Sequence, residues 1–163
     1  MTMPIQFVAM PTSLVHAYQN GRLDDNGQPP ERHCAHGTGI PCRHCLQPIA
    51  AGEPYLVLAH RPFPSRQPYA EVGPIFLHAN ACPRYDAETT VIPPILESEQ
   101  YIVRGYGVDD RIVYGTGQVV ETAVLPQKAV ELLTHPDVAY LHVRSAANNC
   151  FQCRIDSTLV QRG

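Results

Sequence analysis

The sequence has no tryptophan, and Lys128 is its only lysine. It contains no run of basic residues, and its 15 acidic residues outnumber the 12 basic ones to give a formal net charge of −3. A protein that holds nucleic acid neutralises phosphates with a basic surface, so nucleic acid is not expected as the main partner. No stretch approaches the ~18 apolar residues that cross a bilayer, so no membrane partner is expected. The opening stretch, MTMPIQFVAMPTSLVHAYQNG, has no basic start and no long apolar run, so no secretory leader and a cytoplasmic location are expected. Several catalytic patterns are missing as well. There is no H-E-x-x-H, no Ser/His/Asp order and no phosphate-cradling glycine loop, Gly115-Thr116-Gly117 being too short and too strand-like.

What is present describes a globular chain. Hydrophobic residues make up 44% of the 163 and charged residues 17%, outside the range of disordered sequences. One domain over 1–163 is expected, and a core of that size buries roughly 70% of the unfolded chain's surface, so folding does not depend on a metal. The 16 prolines shorten helices and stiffen loops. In a reducing compartment the six cysteines are thiols, metal ligands or redox groups, not structural disulfides.

Along the chain, a first strand is read from Ile5 to Met10. A helix follows Pro11, with Thr12 or Ser13 as its cap, Leu14, Val15 and Tyr18 on its apolar stripe and Gly21 at its stop. Arg22 to Gly39 is polar and glycine-rich, which predicts a long loop. Strands are read at Tyr55–Ala59 and Ile75–His78, with a short helix over 79–85. The second half reads as sheet: Tyr101–Gly107 and Arg111–Val120 joined by a hairpin at Val108-Asp109-Asp110, then Val138–Arg144 and Phe151–Ile155. Pro126 opens the clearest helix, running to about Thr134. The class is α+β: a mostly antiparallel sheet with few short helices, sheet-rich over about 101–156.

The strongest chemical statement lies between Pro41 and Tyr85. It opens with Cys42-Arg43-His44-Cys45 and closes with His78-Ala79-Asn80-Ala81-Cys82. Cys42, Cys45, His78 and Cys82 are four donors of the kind that surround tetrahedral zinc, and a full set of four marks a structural Zn²⁺ site. Turn, hairpin, then strand-to-helix is the order of a treble-clef zinc finger, and LIM-type fingers resemble this segment. If one donor fails to bind, water completes the shell and the site becomes catalytic. His33, Cys34 and His36 are either further ligands or residues of an exposed segment. The second C-x-x-C, Cys150 and Cys153, has three readings: alternative ligands that replace His78 and Cys82, a redox pair, or packed structural thiols.

Taken whole, the chain resembles the bacterial domain of unknown function 1203 family. The matching pieces are Gly39-Ile40-Pro41-Cys42-Arg43 with Leu46 and Gly52-Glu53, Pro68-Tyr69 with Gly73-Pro74-Ile75-Phe76, Val103-Arg104-Gly105-Tyr106, and Val138-Ala139-Tyr140-Leu141-His142-Val143 with Ala146 and Cys150. The family brings no assigned activity. The resemblance implies a shared surface at Arg43, Tyr69, Arg104, Tyr106, His142, Arg144 and Asn148. Arg104 and Tyr106 fall on one face of their strand, and Tyr140, His142 and Arg144 on one face of theirs. As neighbours these strands would form either an Arg/Tyr/His surface for a small anion or a carboxylated ligand, or a solvated sheet face. The preferred reading is a structural or binding protein whose partner is another protein or a small anionic ligand. The alternative is a zinc- or cysteine-dependent enzyme acting on a small anionic substrate, with Cys150 as nucleophile and His142 as base.

Overall fold

The computed structural model describes residues 4–37, 39–86 and 91–158. Its elements are β1 (Ile5–Val8), α1 (Thr12–Gln19), β2 (Glu31–Cys34), β3 (Pro54–His60), β4 (Gly73–His78), β5 (Gln100–Tyr106), β6 (Gln118–Glu121), a 3₁₀ turn (Thr122–Val124), α2 (Leu125–Leu133), β7 (Tyr140–Ser145) and β8 (Phe151–Ser157). The fold is α+β: two short helices and two sheets in which every paired strand runs antiparallel. The chain forms two compact units, one holding Ala9–Tyr85 with Pro93–Ile95 and the other holding β1, β5–β8 and α2. The Cys/His-bearing segment 41–85 falls in the first, and the sheet-rich half 101–156 in the second.

The larger sheet has the order β1-β8-β7-β5-β6. Strand alternation puts Phe7, Leu141, Val143, Cys153 and Ile155 on one face, where each is buried. The register seals this layer, with Phe7 opposite Ile155, Ile155 opposite Leu141 and Cys153 opposite Val143. Helix α2 contacts β1, β6, β7 and β8, and its Leu125 and Ala129 are fully enclosed. Pro126 stands in its first turn, where the missing N–H has no partner to lose. A bulge between Val143 and Arg144 brings Phe151 opposite Arg144 and shifts the end of β8.

The smaller sheet has the order β2-β3-β4. Leu56, Leu58 and His60 of β3 point inward, and Ile75 and Leu77 of β4 join them with Val15 and Tyr18 of α1. Here the sequence expectations need correction. The stretch 22–39 contains β2 and is not all loop. All four residues of β2 are exposed, so backbone pairing holds this edge strand and no apolar alternation announces it. Beyond the end of β2, Asp24 and Asp25 take over the open edge of β3. Asp24 Oδ2 accepts the Ala59 N–H at 2.9 Å, and the Asp25 N–H donates to the Ala59 carbonyl at 3.0 Å.

Three other elements differ from expectation. Pro11, not Thr12 or Ser13, occupies the position before α1. No helix forms over 79–85; the carbonyls of His78 and Asn80 accept from the Gln19 side-chain amide. The strand expected from Arg111 is a folded loop. Asp110 and Gly115 there adopt positive φ, and Thr116 Oγ1 accepts the Gly105 N–H at 2.9 Å. The β5–β6 hairpin therefore closes at Val103 and Gln118, not at 108–110.

Candidate metal centre

The first half of the centre is a tight turn clasped by a bridge between Pro41 and Pro48. Within it, Leu46 N–H donates to the Cys42 carbonyl and Cys42 N–H to the Gln47 carbonyl, each at 3.0 Å. Leu46 has φ +54° and is fully buried. A left-handed Leu costs about 1–2 kcal/mol, and burying its side chain returns about 1.5–3 kcal/mol. The turn is also tied to its surroundings. Arg43 N–H reaches the Phe76 carbonyl on β4 at 3.1 Å, and Tyr85 N–H reaches the His44 carbonyl at 2.9 Å.

The second half leaves the end of β4. His78 is the last residue of that strand, and the segment after it is irregular. In place of a helix, α1 fixes this segment. Gln19 Nε2 donates to the carbonyls of His78 and Asn80, both at 2.9 Å. Arg84 donates to the Ala9 carbonyl at 2.7 Å. A C-x-x-C turn and the antiparallel β3–β4 pair are present, and the helix expected over 79–85 is absent.

These supports bring together the four residues the sequence singled out. One donor atom from each of Cys42, Cys45, His78 and Cys82 lies within 4.8 Å of the other three. Cys42 Sγ is 3.9 Å from Cys82 Sγ, and Cys45 Sγ is 3.5 Å from His78 Nδ1. The cluster could hold a metal ion. Cys42 Sγ accepts the His78 N–H at 3.4 Å. Hydrogen bonds from the Cys45 and Cys82 sulfurs hold the Cys42 thiol far below its usual range, despite burial. The same bond to Cys42 pushes the Cys45 thiol up to about 11, and Cys82 is raised as well, chiefly by its bonds to Cys42 and Cys45. The three thiols oppose one another's ionisation, a conflict that a divalent cation removes.

Outside the quartet, His44 is enclosed between the centre and α1. Its Nδ1 lies 3.2 Å from Cys82 Sγ, and its Nε2 lies 2.9 Å from Thr12 Oγ1. Burial is the main cause lowering its pKa, so the ring is neutral. The tautomer that donates from Nδ1 to Cys82 Sγ accepts the Thr12 hydroxyl proton at Nε2. His78 Nε2, on the side away from Cys45, faces Glu53 Oε1 at 3.8 Å, and that oxygen accepts the Ala50 N–H at 3.0 Å. A carboxylate behind a ligating imidazole fixes its tautomer and raises its basicity.

The remaining sequence candidates lie elsewhere. His33 pairs with Glu31 at 2.9 Å, and Cys34 Sγ faces the Gly52 carbonyl. Neither these nor His36, Cys150 and Cys153 belong to the cluster. Cys153 is buried in the larger sheet, and Cys150 Sγ donates to the Asn148 carbonyl at 3.7 Å. His142 packs against Tyr106, Tyr140 and Phe151 with ring centroids 4.7, 5.3 and 4.8 Å away.

The expected Arg/Tyr/His surface is brought together in part. Arg104 faces His142 and Tyr106 faces Tyr140 across β5 and β7, with the two tyrosines stacked at 5.5 Å. Tyr106, Tyr140, His142 and Arg144 are buried. Asn149, not Asn148, faces Arg104, at 3.5 Å. Arg43 and Tyr69 belong to the other unit. Arg43 is buried, donates to the Pro41 carbonyl at 2.7 Å and lies over the Phe76 ring.

Sequence reasoning missed His44, Thr12, Gln19 and Glu53. His44 stood inside the C-x-x-C, where its position beside a ligand was the available signal. Thr12 was taken for a helix cap. Glu53 stood only in a family-matching piece, and Gln19 gave no signal, because its role depends on chain partners far away.

A family described as a protein of unknown function, DUF1203, matches residues 39–157 of the chain. The chain belongs to the DUF1203 family. The match takes in the whole quartet and strands β3 to β8. No curated protein and no solved structure matches this DUF1203 protein, so its chemistry rests on its own geometry. No helix among its described residues is long and apolar enough to cross a membrane.

Proposed function

We propose that Cys42, Cys45, His78 and Cys82 bind a structural zinc ion, and that the protein is a zinc-stapled binding module. The separations across the cluster carry this reading. Zinc bonds of about 2.3 Å to sulfur and 2.0–2.1 Å to nitrogen, at tetrahedral angles, set sulfur–sulfur edges of about 3.8 Å and sulfur–nitrogen edges of about 3.5 Å. Of the six separations in the protein, Cys42–Cys82 is 3.9 Å and Cys45–His78 is 3.5 Å, and all lie within 4.8 Å. Four protein donors fill the shell and leave no position for a reacting water, which favours a structural role over hydrolysis. Glu53 behind His78 and His44 behind Cys82 supply the outer support that such sites use.

The binding role fits a protein or a small anionic ligand. Arg104, with its neighbours on β5 and β7, has the chemistry to hold a carboxylate. Elemental analysis of protein purified without chelator tests the zinc reading. One zinc per chain is the expected result, with loss of it in Cys45→Ser and Cys82→Ser. Wild-type protein without stoichiometric metal would refute it.

A further inference from the structure

Cys45, His78 and Cys82 lie on the wall of a recess of ≈ 320 Å³ that opens to solvent beside Glu53 and Asn80. The three sulfurs of the quartet are not equivalent there. Cys42 is fully buried in the core cluster, and its sulfur accepts backbone N–H groups of Cys45 and His78. Cys45 is 6% exposed and accepts the Gln47 N–H. Cys82 is half-buried, sits on the irregular segment after β4 and is held by the His44 ring. Burial blunts a thiolate, and of the three Cys82 is the most accessible.

We propose that the metal-bound Cys82 thiolate is a stoichiometric nucleophile towards small, soft carbon electrophiles that enter this recess, and that these are neutral or cationic. The proposal rests on the zinc reading. A ligated thiol has already lost its proton to the metal, and the thiolate is the reactive form. In the step, the sulfur electron pair forms the new S–C bond, the bond from that carbon to its leaving group breaks, and the leaving group departs with the pair. No proton moves. The product is a neutral thioether, a weaker ligand than the thiolate, so modification loosens the metal. The charge preference follows from the lining. A divalent ion with three thiolates carries one net negative charge, Glu53 adds another, and no Lys or Arg lines the recess. Anionic electrophiles are disfavoured there.

The test uses the full chain with Cys34→Ser and Cys150→Ser, which removes both half-exposed or exposed thiols outside the quartet. Zinc content is measured first. The loaded protein is then treated at pH 7 with iodoacetamide or with anionic iodoacetate. Trypsin cuts after Arg43, Arg66 and Arg84 place Cys42, Cys45 and Cys82 on separate peptides for mass spectrometry. Cys82 is expected to be alkylated by iodoacetamide at least tenfold faster than Cys42 or Cys45, with zinc appearing in a chromogenic chelator in step. The preference for iodoacetamide over iodoacetate is expected to exceed that of free cysteine at least fivefold. Loaded protein in which Cys82 reacts no faster than the other two overturns this proposal alone. Protein that carries no zinc overturns the zinc reading and this proposal with it.

Discussion

Leu46 follows the second cysteine of the knuckle in a backbone conformation that glycine adopts freely, yet its side chain is wholly enclosed. The two demands oppose each other and can be separated. Leu46→Ala keeps the left-handed strain and loses the packing, an expected cost of about 2–5 kcal/mol. Leu46→Gly loses the same packing but relieves about 1–2 kcal/mol of strain, against about 0.5–1 kcal/mol of extra backbone entropy. Glycine should therefore be at least as stable as alanine here, the reverse of the usual order. Urea unfolding of the two variants measures this, and an alanine variant more stable by over 1 kcal/mol would speak against the strained turn. His60 offers a second test at this scale. Burial pushes its imidazole down to about 4 from an ordinary 6.5, with Asp25 the main opposing charge. Between those values the unfolded chain binds more protons than the folded one. Stability is full above pH 6.5, falls as pH drops through the window by about 3 kcal/mol, and levels off below pH 4. His60→Gln should flatten that part of the stability–pH curve. An unchanged slope would mean that His60 is not held neutral.

At the scale of elements, the centre combines a knuckle, a hairpin and a helix that precedes both in the chain. Helix α1 reaches it from two ends, through Thr12 on His44 and through Gln19 on the His78 and Asn80 carbonyls. Gln19→Ala removes both clamps on the segment carrying Cys82. An expected 10–100-fold fall in zinc affinity, of the size seen when outer-shell support is lost, is measurable by competition with a chelating dye. Unaltered affinity would show that the segment holds its shape without α1. What the sequence made legible follows the same lines. The four donors could be read from their spacing because C-x-x-C geometry is local, and α2 and the central strands showed through apolar periodicity. The short polar strand β2 could not, since none of its side chains is buried. The helix expected over 79–85 was a local preference, and the segment is instead irregular and tied to a distant side chain, Gln19. Of the strand expected at 111–120 only the end forms, as β6 from Gln118, because the turn backbone of Asp110 and Gly115 takes up the start.

For the whole molecule, each compact unit has its own apolar core. In one, Cys42 and Cys45 pack with Val15, Leu56, Leu58, Ile75 and Leu77. In the other, β1, β7, β8 and α2 enclose Phe7, Leu141, Val143 and Ile155. Neither core consists of the metal ligands alone, so metal removal should act locally. After chelation, hydrogen exchange should rise over residues 41–48 and 78–85 and stay near its starting level across β5, β7 and β8. A uniform rise along the chain would mean that the metal holds the entire fold.

The central claim is a closed zinc site of three sulfurs and one nitrogen, and X-ray absorption at the zinc edge tests it most directly. The account predicts three sulfur neighbours at about 2.3 Å and one nitrogen at about 2.0–2.1 Å. A wild-type spectrum with two sulfurs and oxygen neighbours would contradict it.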